Sequence, residues 1–199
     1  MFKNLQLDKC ELKFIEWISP LENDSLCSYA LRIAEQIDAS IPFSLIGVSF
    51  GGMCAVEIAK VLKPENTIII SSAKVEKEIP FYIRIFRYFP LHKILPESFL
   101  VKISILIKHI VGLRNGGDSK FFTDMLLTRP QGFIKGAINC IVNWRNRDYP
   151  QGLIPIHGDN DHVLPFYFIK NPIRIKGGNH FMVVYKSTEI NKILNEVFR

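Results

Sequence analysis

Ser49 lies in a sequence pattern that suits nucleophilic catalysis. Gly47 and Gly51 stand two positions to either side of it, in the segment Gly47-Val-Ser49-Phe-Gly51, which is the G-x-S-x-G arrangement of a nucleophile between a strand and a helix. We expect the two glycines to let neighbouring backbone pass where a Cβ would clash, so that the serine hydroxyl is exposed in a sharp turn. The backbone N–H of Phe50 and the start of the following helix would then face a developing oxyanion.

The alternative interpretation is a serine in an ordinary glycine-rich turn. A phosphate- or dinucleotide-binding loop fits less well, because the segment contains no G-x-G-x-x-G pattern and no Lys-Ser or Lys-Thr pair follows its glycines. Nucleophilic attack by Ser49 is therefore the chemistry that this segment favours.

A serine hydroxyl needs a base that accepts its proton, and the chain contains five histidines. His180 is the preferred base. It ends the sequence Gly177-Gly178-Asn179-His180 in the loop after the last predicted strand, where ligands meet an open parallel sheet. The other histidines lie at a strand end, beside the candidate acid or in a predicted helical insertion: His157, His162, His92 and His109.

The base in turn needs a carboxylate that holds its ring in the correct tautomer and stabilises the imidazolium. Asp159 and Asp161 both follow the predicted strand at residues 153–156. Either one could also be a solvated turn aspartate. Spacing alone does not choose between them.

The elements that must position these residues form a predicted parallel sheet. Short apolar strands alternate with amphipathic helices, a pattern typical of βαβ units. Ser49, the two aspartates and His180 each follow a predicted strand at its carboxyl end. We expect one α/β domain over residues 1–199, with strands at residues 12–17, 43–46, 67–70, 153–156 and 172–175 and a closing amphipathic helix from about residue 187.

Residues 75–150 break this alternation, and we predict that they form a helical lid insertion. Prolines and a Gly-Gly pair divide the region into helical segments without a clear strand. Its basic residues Arg84, Arg87 and Lys93 are interleaved with aromatic residues. We interpret these basic residues as a solvated edge of the lid; the alternative is a surface that seeks lipid or acyl chains.

Composition limits the class of protein. The chain has 199 residues, 48% of them hydrophobic and 22% charged, which is typical of one globular domain. The net charge of +6 comes from scattered lysines and arginines, which argues against a nucleic-acid-binding face. The four cysteines include no CxxC pair, which favours free thiols and a reducing, cytoplasmic location. No signal peptide is visible, and the apolar stretch at residues 99–113 is too short and too charged to span a bilayer.

Three motifs together make the chain resemble the α/β-hydrolase superfamily from about residue 11 onward. The segment around Ser49 matches the nucleophile elbow, and Gly177-Gly178-Asn179-His180 resembles the histidine loop. The pattern His157-Gly158-x-x-Asp161-x-x-x-Pro165 matches the acid loop and selects Asp161 over Asp159. The order of serine, aspartate and histidine is also that of the family.

The resemblance implies hydrolysis of an ester, thioester or amide through an acyl-serine intermediate. Ser49 would attack, His180 would carry the proton to the leaving group, and Asp161 would hold His180. The compact chain is similar to small carboxylesterases and thioesterases, and the apolar lid suggests a small-molecule substrate with an apolar acyl group. The resemblance implies no cofactor and no metal, and it leaves the oligomeric state open.

The amino-terminal part departs from the family pattern. The second oxyanion donor of the family comes from a loop after an early strand, and nothing before Leu12 resembles that loop. The first strands of the family are missing as well, including one that normally lies between the strands at residues 12–17 and 43–46. We therefore expect an N-terminally reduced fold, in which those two strands are adjacent, a gap separates them, or the true start precedes Met1; we favour the last two.

Losing one oxyanion donor costs roughly 10²- to 10³-fold in rate. The enzyme would then be weak or inactive as the chain stands. The alternative function is therefore a non-catalytic protein of the same fold that binds a small ligand or a partner protein.

Overall fold

The computed structural model describes residue 2 and residues 4–106, 123–124 and 126–199 of the chain. These residues form one sheet of four parallel strands, which lie side by side in the order in which they occur in the sequence. The strands are β1 (Leu45–Val48), β2 (Thr67–Ile70), β3 (Ile154–Gly158) and β4 (Ile173–Ile175). β1 is thus an edge strand of the described sheet.

The helices that connect and flank these strands follow the predicted βαβ pattern. They include α1 (Leu26–Ala34), α2 (Phe50–Leu62), α3 (Phe81–Arg84), α4 (Leu91–Ile94), α5 (Glu97–Leu106), α6 (Phe133–Asn143), α7 (Met182–Tyr185) and α8 (Ser187–Val197). Short 3₁₀ turns occupy Glu76–Glu78, Ile85–Arg87 and Phe166–Phe168.

Side chains of β2 divide the core into two halves. Successive residues of a strand point to opposite faces of the sheet. Ile69 accordingly packs with residues of α1, α2 and α6 on one face, whereas Ile68 and Ile70 pack with residues of α7 and α8 on the other. Because both faces are covered, all three isoleucines are fully buried.

The predicted strand at residues 12–17 is wrong. A strand needs a neighbouring strand to satisfy its backbone, and these residues have none among the described part of the chain. The Gln36 side chain instead accepts from the N–H of Glu16 at 2.9 Å and donates to its carbonyl at 3.0 Å. The Trp17 ring packs against the rings of Tyr29, Phe50 and Phe133.

The other predicted strands are confirmed with small shifts of their ends, as are the parallel sheet and the closing helix. Between residues 75 and 150 the described part contains helices and turns and no strand. Residues 107–122 and 125, which include His109 and the Gly-Gly pair, lie outside the described residues. That this region acts as a lid stays a prediction.

Two further expectations can be compared with the structure. All four cysteines are free, as predicted; Cys54 and Cys140 are buried, and Cys10 and Cys27 are exposed. Arg87 does not lie on a solvated edge, because its guanidinium is buried against backbone carbonyls and Glu76.

None of the described helices has the length and apolar character that crossing a membrane would require.

Candidate active site

Ser49 occupies a strained turn between β1 and α2. Its backbone has φ +53° and ψ −121°, a conformation that costs about 1–3 kcal/mol for a residue with a side chain. The Ser49 carbonyl accepts from the Gly52 N–H at 2.9 Å and from the Ser72 hydroxyl at 2.7 Å. These two bonds fix the turn from opposite sides, so that Ser72 is a positioning residue of the turn.

Two glycines allow this turn, and they are not the predicted pair. A Cβ on Gly47 would lie 2.3 Å from the carbonyl oxygen of Gly51, and one on Gly52 would lie 2.5 Å from the Ser72 side chain. A Cβ on Gly51 would meet only the Trp17 ring at 3.6 Å, which is ordinary contact. Gly52, and not Gly51 as predicted, is therefore the second glycine that the turn needs for steric reasons.

The structure brings Ser49, His180 and Asp161 into one hydrogen-bonded chain. Nδ1 of His180 lies 2.8 Å from Oδ2 of Asp161, and Nε2 of His180 lies 2.9 Å from Oγ of Ser49. An ionised carboxylate only accepts, so Nδ1 carries the ring proton. Nε2 is then free to accept the proton of the Ser49 hydroxyl, as a general base must.

Asp161 is saturated with hydrogen-bond donors. Its Oδ1 accepts from the backbone N–H groups of Val163 and Leu164, at 2.8 and 2.9 Å. Its Oδ2 accepts from His180 and lies 3.3 Å from Nε2 of His157. Burial by itself would raise the pKa of Asp161, but the charge of His180 and these hydrogen bonds outweigh burial and lower it well below its ordinary value.

His157 is a part of the site that sequence reasoning missed. Its Nε2 donates to the carbonyl of Leu164 at 2.7 Å and also faces Asp161. His157 therefore stabilises the acid loop. The signal was present in the sequence, because His157 opens the same acid-loop pattern that contains Asp161. A histidine buried at a strand end is, however, most often a core residue.

The depressed pKa of Asp161 makes the stability of the fold depend on pH. Ionised Asp161 favours the folded state, so its contribution is complete above the unfolded pKa of about 3.9 and is lost as the pH falls towards the folded pKa. In urea unfolding at a series of acidic pH values, we expect Asp161→Asn to flatten the decline in stability seen for the wild type. Equal slopes for the two proteins would contradict this prediction.

Asp159, the other candidate acid, is bonded to Arg174 and Gly177. Its carboxylate accepts from Arg174 at 2.6 Å and from the N–H of Gly177 at 2.6 Å. It therefore ties the acid loop to the start of the histidine loop. The same two loops touch directly where Gly158 meets Gly178, since a Cβ on Gly158 would lie 2.1 Å from the carbonyl oxygen of Gly178.

Phe50 is the candidate oxyanion donor. It is the first residue of α2, and the first N–H groups of a helix have no partner within the helix. The amino-terminal segment is differently engaged. The N–H groups of Gln6 and Asp8 donate to the side chains of Asn191 and Asn195 on α8, at 3.2 and 3.1 Å. These two N–H groups are therefore directed to α8 and not to Ser49.

The remaining described histidines take no part in the site. His92 is buried in α4 with Nε2 3.3 Å from the side-chain oxygen of Asn139. His162 is exposed. Within the described ranges, no three His, Cys, Asp or Glu side chains are grouped so that they could hold a metal ion.

Comparison with known proteins gives no relative by sequence. No protein-family model matches the chain, and a search of curated proteins finds no match.

Solved structures do match it in architecture. A hydrolase of Pseudomonas aeruginosa has a TM-score of 0.65 at 14% identity, over 88% of this chain and 72% of that one. A thermophilic esterase of Thermogutta terrifontis has a TM-score of 0.58 at 15% identity, over 88% and 72%. A bromoperoxidase of Bacillus anthracis has a TM-score of 0.56 at 18% identity, over 84% and 71%. With its parallel sheet and flanking helices, the chain has the α/β-hydrolase fold.

Proposed function

We propose that the chain is a serine hydrolase that cleaves an ester or thioester of a small, apolar acyl group. The observation that carries the proposal is the unbroken chain from Oγ of Ser49 through the His180 ring to Asp161, with contacts of 2.9 and 2.8 Å. The Ser49 hydroxyl is thus in contact with a base, His180, and the contact with Asp161 fixes the tautomer of that base.

The proposed reaction has two halves. Ser49 attacks the substrate carbonyl while His180 takes its proton, and the imidazolium that forms is stabilised by Asp161. His180 then gives the proton to the leaving alcohol or thiol, which leaves an acyl group on Ser49. Water activated by His180 removes that acyl group, and the N–H of Phe50 faces the oxyanion in both halves.

The surroundings of His180 support an apolar acyl group. Phe181, the next residue, is buried in a small apolar group with Leu126. Val101 and Ile105 of α5 and Val163 of the acid loop pack against this pair. Apolar side chains from α5 and from the acid loop therefore surround Phe181, the residue next to the candidate base. Pockets for small organic ligands are mostly lined by side chains of this kind.

The substrate class and a cytoplasmic location are part of the proposal. A small-molecule substrate fits the apolar surroundings of His180, and the free cysteines fit a reducing compartment.

A non-catalytic binding protein of the same fold is the second candidate. The observation in its favour is the amino-terminal segment, in which the N–H groups of Gln6 and Asp8 are bonded to α8. With Phe50 as the sole donor to the oxyanion, the rate would be roughly 10²- to 10³-fold below that of a site with two donors.

Labelling with a fluorophosphonate probe separates the two candidates. For a hydrolase we expect the wild-type chain to be labelled, with the adduct on the peptide that contains Ser49. Ser49→Ala should not react, whereas Ser40→Ala, which removes an exposed hydroxyl on a loop, should react like the wild type. A folded wild-type chain that is not labelled would overturn the hydrolase and favour the binding protein.

A further inference from the structure

The helix that follows the second strand turns its aromatic side to solvent. α3 and the 3₁₀ turn Ile85–Arg87 continue as one helical stretch. Residues spaced by four positions share one side of such a stretch, and Phe81 and Ile85 on this side are 66% and 48% exposed. Phe89 follows just after the stretch, where its N–H donates to the carbonyl of Ile85 at 3.3 Å, and it is 64% exposed. We call this side the aromatic face; it consists of Phe81, Tyr82, Ile85, Phe86 and Phe89, all of them exposed.

The opposite side of the stretch carries its buried charge. Arg87 donates from Nη1 to Glu76 at 2.8 Å, from Nε to the carbonyl of Val142 at 2.8 Å, and from Nη2 to the carbonyl of Trp144 at 3.1 Å. Ile83 packs against the core on the same side. These bonds hold the stretch in an orientation that turns its aromatic face away from the core.

Apolar exposure continues along the chain. Tyr88, Leu91, Ile94 and Phe99 are exposed as well. Monomeric proteins in water seldom expose large apolar patches, and those that exist commonly mark a surface that meets a membrane or a partner.

The charges around the aromatic face are mainly positive. Residues 81–103 contain Arg84, Arg87, Lys93 and Lys102 and a single acidic residue, Glu97. The Glu97 carboxylate is occupied, because it accepts from the N–H groups of Gly132 and Ile134 at 2.6 and 2.9 Å.

Two of these positive charges remain available. Lys93 and Lys102 are exposed, and no described carboxylate pairs with either. They can therefore interact with negative charge outside the chain.

We propose that the aromatic face docks on the surface of an anionic lipid bilayer. Exposed aromatic rings lie favourably at the boundary between headgroups and acyl chains, and lysines beside them bind lipid phosphates. A second copy of the chain fits less well, because pairing of two such faces would bring the lysines of both copies together. The apolar area and the positive charge of residues 81–103 match the two parts of a lipid.

The stretch that carries the aromatic face and the loop that carries Asp161 pack in the same part of the core, because Ile83 contacts the cluster that contains Leu164. Docking would therefore bring Ser49 towards acyl esters dissolved in the membrane. This consequence rests on the proposed function, whereas docking itself does not.

Co-sedimentation with vesicles tests the docking. We expect the wild-type chain to bind vesicles that contain phosphatidylglycerol, to bind pure phosphatidylcholine more weakly, and to lose affinity as salt is raised. Phe81→Ser and Phe89→Ser should each lower the affinity roughly tenfold, because each variant loses the favourable free energy of burying one aromatic side chain in the bilayer. Lys93→Glu should weaken binding to the anionic vesicles alone.

Phe14→Ser is the matched control. Phe14 is 65% exposed but belongs to the amino-terminal segment, so its replacement should leave binding unchanged. Ser49→Ala should also bind like the wild type, which separates docking from catalysis. The proposal is overturned if the wild type does not bind anionic vesicles at low salt, or if Phe14→Ser weakens binding as much as Phe81→Ser. It is also overturned if light scattering shows that the chain self-associates through the aromatic face.

Discussion

Replacing Asp161 with asparagine should lower the turnover of an activated ester such as p-nitrophenyl butyrate by about 10⁴-fold. Oδ1 of Asp161 accepts two backbone N–H groups, at 2.8 and 2.9 Å. An amide at this position will place its oxygen there and turn its NH₂ group towards His180. Nδ1 must then accept, the ring proton moves to Nε2, and His180 can no longer take the proton of Ser49.

Asp159→Asn is the control for this experiment. The amide oxygen of the variant can still accept from Gly177, and only the exposed ion pair with Arg174 is lost. Exposed pairs contribute little, so we expect a change of less than about threefold. Comparable losses in the two variants would mean that Asp161 does not set the tautomer of His180, and the proposed mechanism would fail.

The second large effect is expected for Gly158→Ala. The added methyl group would lie 2.1 Å from the carbonyl oxygen of Gly178 and 2.4 Å from its carbonyl carbon, and backbone atoms cannot rotate away as a side chain can. The same carbonyl accepts from the N–H of Asn160 at 2.9 Å. Moving the two loops apart to make room for the methyl group would therefore also break this hydrogen bond. We expect a loss of about 3 kcal/mol or more in urea unfolding, and reduced labelling of Ser49 because His180 is displaced.

Gly152→Ala separates this clash from the general cost of replacing a glycine. Gly152 has φ +80°, and its Cβ would meet no atom within 4 Å. The variant should lose only about 1 kcal/mol, the cost of a left-handed backbone with a side chain. If Gly158→Ala were no less stable than Gly152→Ala, the close contact between the loops would not limit the fold.

The placement of the candidate site was predictable from the sequence because it depends on the sheet alone. Ser49 follows β1, Asp161 follows β3 and His180 follows β4. The strands are parallel, so their carboxyl ends lie at one edge. The sheet therefore places all three loops at that edge, which is why the site could be located before its side-chain contacts were known.

The parts that could not be predicted depend on contacts between distant residues. The apolar residues of 12–17 read as a strand, yet their backbone is satisfied by the Gln36 side chain. Arg87 reads as a solvated charge, but it is bonded to the carbonyls of Val142 and Trp144, which lie 55 and 57 residues further along the chain. A local pattern contains no information on such partners, so it could not tell which side of the helix faces water.

Because Ser49 has a positive φ, stability and the proposed chemistry favour different residues at this position. A glycine there would adopt φ +53° without strain, so the most stable chain and the reactive chain require different residues. Selection for robustness alone would favour removing the hydroxyl. A serine in this conformation thus carries a conformational cost that a glycine would avoid, and the proposed reaction depends on the hydroxyl that brings this cost.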